Sequence, residues 1–197
     1  MAISSQQVKE LRDKTNAGMM DCKRALEEAG GEIEKAIELL RKRGLAIAAK
    51  KSSRATEEGV VGAYIHSNHK IGVLIEVCCE SDFVAKNEEF QEFVKDLTLQ
   101  IASASPQYLT RDEVPEKVLE SEREIYREQV KDKPANVIDK IIEGKLGKFY
   151  SEVCLLDQAF VKEDKKTISD LLQEKIAKLG ENIVIRRFVR YQVGEEI

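Results

Sequence analysis

Proline is scarce, with 3 in 197 residues, so most of the chain lacks the residue that interrupts helices. A hydrophobic fraction of 42% beside 35% charged residues supplies a packed core and a solvated surface, which excludes disorder, collagen-like repeats and low-complexity arrays. No apolar run approaches the roughly 18 residues of a membrane span, so an integral membrane protein is excluded. The opening Met-Ala-Ile-Ser-Ser-Gln-Gln has no basic segment followed by an apolar stretch, and no secretory signal is expected.

Cysteine and histidine are sparse as well. Cys22, Cys78, Cys79 and Cys154 form no CxxC pair, and His66 and His69 are the only histidines. That excludes the common zinc frameworks and disfavours a disulfide scaffold, which points to a reducing cytoplasm. Neither GxxxxGK[ST] nor GxGxxG occurs, so no motif supports direct nucleotide binding. The two histidines flank a turn, away from any nucleophile, and read as solvated turn residues. Consecutive strand residues point to opposite faces, so Cys78 and Cys79 read as buried thiols rather than a redox pair. No enzyme, cofactor or metal site is expected.

Charge is unevenly spread beneath a formal net of −4. Residues 1–54 hold 12 Lys/Arg against 8 Asp/Glu, leaving 20 against 28 for the rest. Opposite signs imply two regions with different surfaces. The basic stretch from Arg41 to Arg54 has no interleaved aromatics in a chain that is acidic overall, so it reads as a solvated linker without nucleic-acid contact.

The periodicity predicts an α+β protein. Ser4 with Gln7 makes a capping box before Val8 and Leu11, and Asn16-Ala17-Gly18 breaks that first helix. Cys22, Ala25, Leu26 and Ala29 line a second helix closed by Gly30-Gly31, and Ile33, Ala36, Ile37 and Leu40 line a third that ends near Gly44. Three helices apolar on one face each bury those faces against one another. The expected organisation is a three-helix domain over 1–46, a linker over 47–57 and an α+β core over 58–197.

In the core, Val60–His66 and Lys70–Cys78 read as a hairpin, with Asn68 taking the positive φ of its turn. Ile71, Val73, Ile75 and Val77 alternate, which buries one sheet face. Phe90, Phe93, Val94, Leu97 and Ile101 follow helical spacing. Pro115 and Pro134 start two helices of a hairpin over about 114–147, the first lined by Val118, Ile125 and Tyr126, the second by Val137, Ile138, Ile141, Ile142 and Leu146. Thr167 with Asp170 caps a helix that Gly180 ends, and Ile183–Val193 is a closing strand. The sheet is antiparallel because its two best strands form a hairpin.

Two places stay open on composition alone. In Glu80-Ser81-Asp82-Phe83-Val84-Ala85-Lys86-Asn87-Glu88, Ser81 or Asp82 caps the next helix while Phe83 is either a hydrophobic staple or an exposed interface anchor. Met19-Met20 is either core filler or an adaptable contact patch.

VKELRDKTNAGMMDCKRALEEAGGEIEKAIELLRKRG (8–44), IGVLIEVCCESDFVAKNEEF (71–90) and FVRYQVGE (188–195) resemble translation elongation factor Ts, the nucleotide exchange partner of elongation factor Tu, over nearly the whole chain. The resemblance implies that the N-terminal helices form a ubiquitin-associated-like bundle contacting the GTPase domain of elongation factor Tu through Arg12, Met19 and Met20. It implies that the family's T-D-F-V motif, here Ser81, Asp82, Phe83 and Val84, enters that GTPase near its magnesium site. Serine for threonine keeps the hydroxyl and loses a methyl. Magnesium requires near-octahedral oxygen ligation, so a small displacement of its ligands is costly, and burying Phe83 supplies about 1.5–3 kcal/mol toward one.

Longer family members carry two related core subdomains. This chain shows one, whose first part resembles the copy bearing the Asp-Phe motif, while the hairpin with Lys148-Phe149 resembles the other. Short members are homodimers, and the strand at Ile183–Val193 is the sheet edge expected to pair with a second copy. The function implied is guanine nucleotide exchange. The competing readings are a non-catalytic adaptor for helices or ubiquitin-like folds, and a thiol enzyme using Cys78 or Cys79.

Overall fold

The computed structural model describes residues 3–15 and 17–195, with the side chains of 135 and 136 left out. Asn16, expected to help break the first helix, lies outside the described residues. The chain divides into two compact units that interleave in sequence. One holds Met1–Gly59, Cys78–Gln91 and Leu172–Val184; the other holds Val60–Val77, Glu92–Leu171 and Ile185–Ile197.

The first unit opens with α1 (Ser5–Thr15), α2 (Met19–Glu28) and α3 (Ile33–Lys51). The Ser4–Gln7 box forms: the Gln7 amide donates to Ser4 Oγ at 3.2 Å, and the Ser4 amide donates back to Gln7 Oε1 at 3.0 Å. At the end of α2, Gly31 N donates to Leu26 O at 2.8 Å and Gly30 N to Glu27 O at 3.3 Å, the double bond of a Schellman stop. Both glycines have positive φ, 64° and 90°, where a side chain would be strained. Val8, Leu11, Cys22, Ala25, Leu26, Ala29 and Ala36 are the buried core of this bundle.

The third helix does not stop at Gly44 but runs on to Lys51. Gly44 costs about 1 kcal/mol relative to alanine, and the strong helix formers around it, Leu45-Ala46 and Ala48-Ala49-Lys50-Lys51, outweigh that. The first part of the expected linker is therefore helical.

The sheet begins with β1 (Glu58–Ile65) and β2 (Ile71–Cys79). Its turn puts the positive φ on His69 (57°), not Asn68. Asn68 instead uses its side chain, whose Oδ1 accepts from the Lys70 amide at 2.9 Å; an asparagine can serve a turn either way. Val73, Ile75 and Val77 are buried as the alternation requires. A Cβ on Gly62 would collide with Val94 Cγ1, so glycine is what lets strand and helix approach here.

After the one-turn α4 (Asp82–Ala85) comes α5 (Glu88–Ala104), with Phe90, Phe93, Val94, Leu97 and Ile101 all buried. The helical hairpin is α6 (Glu116–Gln129) and α7 (Ala135–Val153), each starting directly after its proline. Leu119, not Ile125, supplies the buried contact of α6; Ile125 is exposed. The two residues lie six positions apart, more than a turn and a half, and the helix can bury only one of those faces.

Two short strands escaped the sequence reading, β3 (Ala159–Phe160) and β4 (Glu163–Thr167), which pair antiparallel. Glu-Asp-Lys-Lys-Thr has no apolar alternation to announce a strand. A buried amide pair fixes the strand that β4 pairs with and the turn between them: Gln100 Nε2 donates to Gln158 Oε1 (3.0 Å) and Ala159 O (3.1 Å), and the Val161 amide donates to Gln100 Oε1 at 2.9 Å.

α8 (Ile168–Leu179) starts with the expected box, Thr167 Oγ1 accepting from the Asp170 amide at 3.1 Å while Asp170 Oδ2 accepts from the Thr167 amide at 3.1 Å. β5 (Ile183–Gln192) completes a sheet of order β1-β2-β5. The burial alternation of β5 shifts phase at Arg186-Arg187, both of which pair with Glu76, at 3.9 and 2.7 Å. The other sheet face carries exposed apolar residues on all three strands: Val61 and Ile65, Leu74, Val189 and Tyr191. The architecture is α+β, with an antiparallel sheet, packing helices and a helical hairpin.

Candidate functional site

The polar corner between β2 and α5 is held by hydrogen bonds, some within it and some from residues distant in sequence. Ser81 is extended (φ −131°, ψ 156°), and its hydroxyl accepts from the Val84 amide at 3.4 Å, which makes Ser81 the cap of α4. Asp82 follows in the first turn, where a carboxylate is favoured by the helix dipole. Lys86 Nζ donates to Asp82 Oδ2 at 2.6 Å and holds that carboxyl below its ordinary range. Asn87 Oδ1 accepts from the Glu89 amide at 2.8 Å, and Gln91 Nε2 donates to Ala85 O at 2.5 Å.

Residues distant in sequence close the base of the corner. Glu181 Oε2 accepts from the Glu80 and Ser81 amides at 3.1 and 3.0 Å, and Glu181 Oε1 accepts from the Ser81 hydroxyl at 2.6 Å. In return the Asn182 amide donates to Glu80 Oε1 at 2.6 Å; this bond leads the effects that keep the Glu80 carboxyl low. Arg54 reaches the same carboxylate at 3.4 Å, and Asn182 Nδ2 donates to Arg54 O at 2.9 Å. The sequence reading missed Glu80, Glu181, Asn182 and Arg54. Their only linear signal is Gly180-Glu181-Asn182 after the stop of α8, and pairing it with residue 80 needs the fold.

Against this hydrogen-bonded frame, one side chain is left over. Phe83 is 83% exposed, the highest value of any large apolar residue among those described, while Val84 is half-buried and Ala85 buried. Phe83 is therefore no staple. The four residues of the Ser-Asp-Phe-Val run are brought together as cap, first-turn acid, exposed ring and half-buried base.

The bundle offers a second exposed apolar spot. Arg12 lies exposed in the last turn of α1, and Met19 (51%) and Met20 (62%) lie exposed in the first turn of α2. They flank one connection, and no side chain caps α2 at Gly18. The methionines are not core filler.

Reactive groups are poorly placed for chemistry. All four thiols are buried and free, and burial pushes those of Cys79 and Cys154 up to about 11, far from the thiolate form at neutral pH. His66 Nδ1 lies 2.8 Å from the Tyr64 hydroxyl. No group of three or more His, Cys, Asp or Glu able to hold a metal occurs among the described residues. No described helix is long and apolar enough to cross a membrane.

Exposed large apolar side chains on hydrogen-bonded scaffolds are the makeup of a surface that binds another protein. The comparisons with known proteins agree in kind. The family profile described as "Elongation factor TS" matches residues 2–195. Elongation factor Ts of Thermodesulfovibrio yellowstonii is 58% identical over 196 residues, 99% of this chain and 98% of that protein. Elongation factor Ts of Carboxydothermus hydrogenoformans is 61% identical over 195 residues, covering 98% and 90%. That of Caldanaerobacter subterraneus is 60% identical over 197 residues, covering 99% and 98%. The chain belongs to the elongation factor Ts family. It is a nucleotide exchange factor of translation elongation rather than an enzyme, and its partner is elongation factor Tu.

Proposed function

We propose that this exchange factor works in the cytoplasm by driving the Ser81–Val84 corner into the GTPase domain of GDP-bound elongation factor Tu, displacing magnesium and nucleotide. Phe83 is the wedge, Val84 supports it, Ser81 caps the turn, and Asp82 with Lys86 orients its polar side. The observation that carries this reading is the 83% exposure of a phenylalanine on a turn whose flanking amides, those of Glu80, Ser81 and Val84, are already bonded. Exchange then needs no covalent step. Linkage makes the effect reciprocal: if the factor weakens GDP a hundredfold, about 2.7 kcal/mol, GDP weakens the factor equally. Release of a fluorescent GDP from elongation factor Tu, with wild-type chain against Phe83→Ala, tests it. Unchanged release with Phe83→Ala refutes the wedge.

The bundle, residues 1–46, contributes a second contact through Arg12, Met19 and Met20, joined by 47–57 to a core of 58–197. A bundle that binds helices or ubiquitin-like folds without promoting exchange is the competing reading, and the release assay separates the two.

We further propose a homodimer. Support comes from the outer sheet face rather than from the β5 edge alone. Val61, Ile65, Leu74, Val189 and Tyr191 give an exposed apolar surface with Glu76 and Arg187 on the same sheet. A two-fold pairing buries such a face against its own copy and removes about 1,200–2,000 Å² in total if stable. Sedimentation equilibrium decides it: 22.3 kDa at every concentration would exclude a dimer.

A further inference from the structure

We propose that Glu181 is a positioning residue for exchange, and that its carboxylate sets the direction in which Phe83 leaves the chain. The inference rests on the wedge reading above. An exposed ring has no packing to aim it, so its direction is fixed by the backbone of α4 alone. That backbone is one turn of four residues, too short to hold itself, since helix nucleation fixes several dihedrals for a single hydrogen bond.

Glu181 supplies what the turn lacks. Its two oxygens take three donors, the amides of Glu80 and Ser81 and the Ser81 hydroxyl, from 100 residues away. Bonds to an ionised acceptor are shorter and stronger than neutral ones, and the 2.6 Å hydroxyl contact fits that class. The same hydroxyl then accepts from Val84 N, so the carboxylate acts through Ser81 on the turn that bears Phe83. The Asn182 amide on Glu80 completes a reciprocal pair, in which each strand end offers a carboxylate to the backbone of the other. Without Glu181 three donors lose their acceptor. The ring would then have to be ordered at the moment of binding, and that ordering reduces affinity for the state in which nucleotide leaves.

The test uses the full chain. Glu181→Gln keeps the size but replaces one of the two acceptor oxygens with an N–H donor, so the two amides and the Ser81 hydroxyl can no longer all be accepted at once. Expected is exchange slowed about tenfold with helical content unchanged, and Glu181→Asp recovering part of the loss. The chain has no tryptophan, so Phe83→Trp introduces a single reporter. Adding Glu181→Gln to it should increase the amplitude of fast anisotropy decay at that ring. In a double-variant cycle, Phe83→Ala with Glu181→Gln should be no slower than Phe83→Ala alone, because a positioning residue has nothing left to position.

If Glu181→Gln proves too unstable to assay, Ser81→Ala removes only the relay hydroxyl and should slow exchange about threefold while increasing the same anisotropy amplitude. Exchange within twofold of wild type for Glu181→Gln, with Phe83→Ala strongly impaired, overturns the positioning role and leaves the wedge standing. Multiplying losses in the double variant overturn it too. Normal exchange by Phe83→Ala overturns the wedge itself.

Discussion

Phe83 and the Met19–Met20 pair are both exposed apolar patches, yet the chain holds them in opposite ways. The corner around Phe83 has its amides taken by Ser81, Glu181 and Asn87, and its outer carboxylate held by Lys86. The first turn of α2 has a glycine N-cap, no capping side chain, and two flexible thioethers. A rigid aromatic loses little entropy on binding and demands one geometry, whereas methionines adapt at some entropic cost. The difference suggests a division of labour. In the proposed mechanism the corner would do the displacing and the bundle would add affinity.

The sharpest way to break that contrast is to remove the bundle's core while leaving its surface. Leu26 is fully buried, and Leu26→Ala should cost about 2–5 kcal/mol of bundle stability. The thermal transition of the bundle should fall, while saturating factor still releases GDP. Loss of exchange at saturation would mean the two patches are not separable. Next in size, Phe83→Ala should remove an anchor of about 2 kcal/mol or more, so that release slows at least about thirtyfold with little change in melting temperature.

A subtler probe is Gly31→Ala. At φ 90° a Cβ is strained, and about 1–2 kcal/mol of bundle stability should go, read by chemical denaturation. Met19→Ala and Met20→Ala should each raise the half-saturating concentration of factor a few-fold without lowering the maximal rate. An equal fall in the maximal rate would erase the proposed division.

The smallest effect concerns pH. Lys86 holds the Asp82 carboxyl below its ordinary 3.8, and Asp82 holds Lys86 above 10.5. The pair's contribution is thus complete between those values. It fades as pH falls through the lowered acid value or rises through the raised basic one. Both groups are exposed, so the gain is slight and salt-sensitive. Amide NMR shifts of residues 82–86 should stay flat from pH 5 to 9 and move below about 3.8.

Local rules carried most of the fold. Ser4–Gln7, Thr167–Asp170, the Gly30-Gly31 stop and the stripe from Phe90 to Ile101 are encoded within a few residues of where they act, and each was readable. What failed was decided by tertiary context. Leu119 rather than Ile125 faces the hairpin core; both lie on an amphipathic helix, and only packing selects the face. Gln100 holds the start of the β3–β4 hairpin at Ala159 and Val161, and β4 then pairs with β3, a reason absent from Glu163–Thr167 itself. At the candidate site, composition singles out the polar run from Glu80 to Glu88 but leaves Phe83 as staple or anchor, since that depends on burial, which the fold puts at 83% exposure. The clamp was invisible for the same reason, because its halves lie a hundred residues apart.

The continuation of α3 to Lys51 has a consequence for how the two patches are presented. Nineteen helical residues span about 28 Å. The near end lies in the bundle core at Ala36, and the far end is tied down: Lys51 Nζ donates to Gly180 O, and Asn182 Nδ2 donates to Arg54 O. A coil in that place would let the second patch search a volume, with an effective concentration that falls with tether length. A strut does not search. If Phe83 seats as proposed, Met19 and Met20 would be offered at a fixed reach from it, and the helix would act as a ruler that favours partners whose two docking points match that reach.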